Sequence, residues 1–207
     1  MLMERIIGAL TFKRQVYADV EKDTSFTSTA WAIVVVVGLL SQLGSALTLA
    51  SASGGQLDVT SLLLGAGVGA AISVAAFALG AFVISWMGKA LFKADVTFQE
   101  MVRTLGLAQV WGLAGVLGVA GAAVPLLGCI VAPITCLAAV LGLVSWFIAA
   151  QEALDLETGQ TAITVIIGWF VSFFVTALIG GFVFAAIGLA AGGGSMLMDM
   201  LRDVTGQ

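Results

Sequence analysis

Two glutamines, Gln42 and Gln109, are the largest polar side chains expected at membrane depth in this 207-residue chain, accompanied by Ser41, Ser45, Ser73, Ser85, Ser145, Ser172 and Thr176. At membrane depth such groups hydrogen-bond one helix to another or line a pocket for a small polar ligand. Nothing beside them makes a catalyst. The chain has no histidine, no HExxH and no paired acids at that depth, whereas acid–base and metal-assisted catalysis need such groups within reach of a substrate. The expectation is a non-enzyme with no catalytic, cofactor-binding or metal-binding residue. Cys129 and Cys136 are seven apart, roughly 10 Å along a helix axis and beyond disulfide reach within one helix; they read as small buried apolar residues. Gly65-Ala66-Gly67-Val68-Gly69-Ala70 superficially resembles a dinucleotide fingerprint, but the apolar run continues to Met87 and the next acid is Asp95.

The elements that carry these residues follow from composition. Hydrophobic residues make up 60% of the chain and charged residues 10%, with a mean hydropathy of +1.13, against about 25% charged residues in soluble proteins. Four charge-free runs, 24–57, 59–88, 104–151 and 158–198, are each long enough to cross a bilayer, which takes about 20 apolar residues. The third would make a single helix of about 72 Å, so it folds back, at Pro125-Leu126-Leu127-Gly128. The sequence therefore predicts an all-α membrane protein, a bundle of about five transmembrane helices near 30–50, 61–87, 105–124, 130–150 and 162–190, with tilt or a kink near Gly180-Gly181. An N-terminal amphipathic interfacial helix precedes them. The chain divides into a cytoplasmic helix and acidic linker (1–25), the five-helix domain (26–191) and a short Gly-rich tail (192–207). Small residues at packing spacing set the contacts: Gly65, Gly69 and Ser73; Gly112, Gly115 and Gly118; Gly181 with Ala185.

Orientation follows from the basic residues, which short loops retain in the cytoplasm. Seven of the eight lie before the first crossing or between the second and third; only Arg202 lies elsewhere. This predicts a multi-pass cell-membrane protein, N-terminus cytoplasmic and C-terminus outside. Segment 1–23 has Ile6, Leu10 and Tyr17 near one face, with Arg5, Lys13, Arg14, Asp19 and Lys22 on the polar side, the pattern of an interfacial helix. Thr97-Phe98-Gln99-Glu100 reads as a capping box; Lys93 and Arg103 flank it, placed to reach lipid phosphates. Candidate cytoplasmic interaction residues are Lys13, Arg14, Asp19 and Glu21, with Lys93 and Arg103, and the acids Glu152, Asp155 and Glu157, expected to pair with the basic loop or the N-terminal helix. A net charge of −4 argues against nucleic acid, which demands a basic footprint.

The acid-rich stretch Val16-Tyr17-Ala18-Asp19-Val20-Glu21-Lys22-Asp23-Thr24-Ser25 before five Gly/Ala-rich crossings, with TFQEMVRTLGLAQVWGL entering the third, resembles the Yip-domain (Ypt/Rab-interacting protein) family over nearly the whole chain. The resemblance implies five crossings and a cytoplasmic N-terminus. Because the DLYGP motif of eukaryotic members is missing, the likeness is to the prokaryotic type, with no Rab-binding role implied. The expected function is organising or scaffolding a membrane or membrane complex, with a small transporter, channel or accessory subunit as the alternative. Expected partners are membrane lipids and a membrane protein or a second copy of the chain.

Overall fold

A computed structural model describes residues 2–52, 59–123 and 125–188. Its helices are α1 (Leu2–Leu10), α2 (Arg14–Lys22), α3 (Phe26–Ala52), α4 (Val59–Phe92) and α5 (Phe98–Ala108), then a 3-10 segment (Gln109–Val116), α6 (Leu117–Ala123), α7 (Pro125–Leu154) and α8 (Thr158–Gly188). No strand occurs among the described residues. Five helical stretches, Phe26–Thr48, Leu62–Phe92, Phe98–Gly121, Leu127–Leu154 and Thr158–Val183, are long and apolar enough to cross a membrane. The α8 helix runs unbroken through Gly180 and Gly181. The expected tail 192–207, Arg202 and the side chain of Ala185 lie outside the described residues.

The bundle is built around α5. Every residue from Met101 to Ala108 is buried, because α1, α2, α3, α4 and α7 all pack on this helix. Its start is fixed as the spacing predicts: the Glu100 amide donates to Thr97 Oγ1 (3.2 Å) and the Thr97 amide donates to Glu100 Oε2 (2.6 Å), satisfying two otherwise orphan donors. Beyond Ala108 the expected single third helix is not continuous. Eight residues wind as a 3-10 helix, a long run for that conformation, in which residues three apart eclipse one another. Gly112 and Gly115, continued by Gly118, are spaced by three and so form one bare stripe. Against it lies α3: Ser41 Oγ donates to the Gly112 carbonyl (2.9 Å) and Thr48 Oγ1 to that of Gly118 (3.3 Å).

The N-terminal segment is two helices instead of one. Phe12 takes φ 56°, and the amides of Phe12 and Lys13 donate back to the carbonyls of Ala9 (3.2 Å) and Gly8 (2.9 Å), the Schellman arrangement that ends helices. The chain doubles over at this point, so Ala9, Tyr17 and Val20 are fully buried while Leu2, Met3, Ile7 and Leu10 stay exposed. The turn is held by stacking of Phe12 on Trp111, 5.5 Å between centroids and 13° between planes. Rather than lying only on the surface, the hairpin docks on the bundle, with α2 packed against both α5 and α7 and α1 against α5.

Lys93 and Asp155, just past the ends of α4 and α7, also have positive φ, 57° and 49°. L-residues pay for this conformation and glycine does not. Lys93 is exposed, so Lys93→Gly is expected to stabilise the fold by roughly 0.5–1 kcal/mol, read as a higher melting temperature in detergent.

Candidate functional site

Polar side chains gather where α1, α2, the α4–α5 loop and the α7–α8 loop meet, the proximal face. Its centre is Arg103, only 4% exposed. The guanidinium donates to the Glu21 carbonyl from Nε (2.9 Å) and Nη2, and to Thr27 Oγ1 from Nη1 (3.3 Å); Glu100 stands 3.9 Å away. This corrects the expectation that Arg103 reaches lipid phosphates, since α2 and α3 close over it and use its donors. Lys93 is exposed.

The α2–α7 seam is also polar. Tyr17 Oη and Ser145 Oγ share a hydrogen bond of 2.6 Å. Arg14 reaches Glu152 Oε1 (3.1 Å) and Gln151 Oε1 (2.8 Å), and Gln151 Nε2 donates to Thr158 Oγ1 (3.0 Å). With the Arg14 side chain 57% exposed, that ion pair orders the seam more than it stabilises it. Arg5 pairs with Asp23 (2.8 Å) and sits over the Phe26 ring at 5.0 Å. Lys13, Asp19, Asp155 and Glu157 are exposed.

Two carboxylates feel this setting in opposite directions. Asp23 is held below the usual range by hydrogen bonds from Ser25 and Arg5, so it contributes stability at neutral pH that is lost on acidification through its lowered value. Glu21 is pushed above the usual range, first by burial and then by the carboxylates of Asp155 and Glu100. A raised acid favours the fold while protonated: that contribution is complete below the ordinary carboxylate range and disappears as pH rises through the raised value. Glu21→Gln is therefore expected to melt above the parent near pH 7, with the difference closing toward about pH 4.

Deeper in the bundle, Gln42 Nε2 on α3 donates to Ser73 Oγ on α4 (3.1 Å), which in turn donates to the Gly69 carbonyl (2.9 Å). A Cβ added at Gly69 would lie 2.7 Å from Gln42 Oε1, at Gly112 2.6 Å from Val37, and at Gly115 2.8 Å from Ser41 Oγ. At Gly65 and Gly181 it would meet nothing within 4 Å. Cys129 and Cys136 are free and exposed, correcting the expectation of burial, because none of the described helices covers the α7 face that carries them. Among the described residues no cluster of His, Cys, Asp and Glu could hold a metal.

Gln109 opens onto a cavity of about 540 Å³ between α4, the 3-10 segment, α7 and α8, with Trp111, Trp146 and Trp169 among its walls. The sequence gives no sign of it, since its walls come from four separated segments; only Gln109 and the scattered hydroxyls mark it.

Five membrane-length apolar helices, joined at one end by buried polar contacts and bare of charge through their middles, define a multi-pass α-helical membrane protein. The chain belongs to the Yip1 domain family, whose model matches residues 7–179. Comparison with curated proteins and with solved structures gives no match.

Proposed function

We propose that this Yip1 domain protein is a non-enzymatic organiser of a membrane complex, seated in the cell membrane with its proximal face in the cytoplasm and its C-terminus outside. The observation that supports this reading is the bareness of α7 and α8. Only 6% and 11% of their most apolar stretches are buried, against 33% for α4. On α8, Phe170 stacks with Phe174 and both are exposed, so the outward face carries a paired set of rings rather than independently mobile side chains, while the Trp169–Phe173 pair borders the cavity. Lipid covers such a face without selectivity; a neighbouring membrane protein covers it through shape. The orientation rests on seven of eight basic residues lying on the proximal side. A photo-crosslinking residue at Phe174 in native membranes is expected to give a discrete protein adduct, identified by mass spectrometry as another protein or a second copy. Adducts with lipid alone would overturn the reading. Cysteines introduced at Lys13 and Lys89 in a background free of Cys129 and Cys136 are expected to label from the same, cytoplasmic, side.

The cavity supports a second reading, a small transporter or channel or an accessory subunit of a membrane transport complex. Solute flux in liposomes containing the purified chain would favour it over scaffolding.

A further inference from the structure

We infer that the cavity is a binding site for an uncharged, membrane-dissolved molecule with a flat, carbonyl-bearing head, of the quinone class. The inference is independent of the scaffolding reading. It starts from what the walls lack: none of the lining residues is charged, which disfavours an ion or a charged headgroup, and the volume lies within the roughly 300–1,000 Å³ of small-molecule sites. The cavity sits far along α5 and its 3-10 extension from the capped start at Thr97, with Ser172 and Thr176 at the middle of α8, at the depth where neutral hydrophobic molecules dissolve.

Hydrogen-bonding capacity then selects the head. The four lining hydroxyls already donate to carbonyls of their own helices: Ser73 to Gly69 (2.9 Å), Thr135 to Ala132 (2.9 Å), Ser172 to Gly168 (2.7 Å) and Thr176 to Ser172 (2.6 Å). They offer lone pairs, not protons. One lining donor has no acceptor among the described residues, the side-chain amide of Gln109; the indole N–H of Trp111 is also unmet, but its nitrogen is buried and not open to the cavity. An unmet donor away from water is destabilising, and the group that satisfies it is an acceptor such as a carbonyl. Five rings face the same space, Phe77, Trp111, Trp146, Trp169 and Phe173, with Phe77 edge-on to Trp146 at 6.0 Å. Such a wall favours a planar π system over a saturated chain.

The test uses the full chain in nanodiscs of synthetic phosphatidylcholine, titrated with ubiquinone-1 while tryptophan fluorescence is followed. Saturable quenching at one molecule per chain is expected. Gln109→Leu is expected to weaken binding about tenfold, and Ala139→Phe, which fills the cavity, to abolish it; Gly65→Ala, facing open space, serves as the unaffected control. Native mass spectrometry of the unmodified chain, expected to show a single ubiquinone-1 adduct, keeps the proposal testable should Ala139→Phe fail to fold. Quenching that rises linearly with partitioning and is unchanged by Gln109→Leu would overturn the proposal, as would equal displacement by oleyl alcohol, which carries a chain and no planar head.

Discussion

Arg103→Ala is expected to lower stability by about 3 kcal/mol, because hydrogen bonds to a charged group contribute roughly 1.5–3 kcal/mol each and removal of one partner leaves the other buried and unmet. The side chain is almost wholly enclosed and ties α5 to the Glu21 carbonyl and to Thr27; without it the carbonyl near the end of α2 has no side-chain donor among the described residues, and the α1–α2 hairpin loses one of its attachments to the bundle. Arg103→Lys is expected to recover only part of the loss, since an ammonium cannot reproduce the planar fork that serves two acceptors. Glu100→Gln, whose contact with Arg103 is 3.9 Å, is expected to matter far less. Thermal melting in mild detergent ranks the three, and limited proteolysis after Lys22 reports hairpin release. Equal melting of the alanine variant and the parent would show that the arginine network does not hold the hairpin.

The second large effect is expected at Gly44. A Cβ there would overlap the carbonyl oxygen of Gly115, and the reciprocal Cβ at Gly118 would lie 3.1 Å from the Gly44 carbonyl. Both obstacles are main chain, which cannot turn aside as a side chain does. Overpacking a core ordinarily costs about 1–3 kcal/mol; with backbone against backbone, Gly44→Leu is expected to reach or exceed about 3 kcal/mol and part α3 from the 3-10 segment. The same change at Gly65, where an added Cβ meets nothing within 4 Å, is expected to leave melting unaltered. Fluorescence-detected size exclusion after a heating series distinguishes the pair.

Much of the architecture is legible because it follows from burial and local chemistry. Charge-free runs of membrane length mark all five spans, and Thr97 and Glu100 mark the start of α5 by side chains whose geometry is local. What escapes a sequence reading involves main-chain atoms or distant partners. Arg103 is satisfied by a carbonyl 82 residues away, and a carbonyl leaves no trace in residue type. Phe12 ends α1 in a conformation that glycine usually announces, so the break in the amphipathic helix is silent. Gly112, Gly115 and Gly118 read as a packing stripe at any helical period; only their spacing of three hints at 3-10 winding. For the cavity, Gln109 is visible as a polar group at depth, but its unmet amide and the five rings around it become neighbours only after four segments fold together.

The α1–α2 hairpin is made before every span it docks on, and two of its anchors come late. Tyr17 meets Ser145 across 128 residues and Arg14 meets Glu152 across 138. At 5–20 residues per second this is a wait of roughly 6 to 28 s, during which the α5 side of the seat, with Arg103 and Trp111, is made first and the rest of the hairpin's apolar side is left to the lipid surface. Docking of this early-made element is thus completed only once α7 is in place, and a chain truncated before α7 should leave that element open to protease while the earlier spans are already inserted.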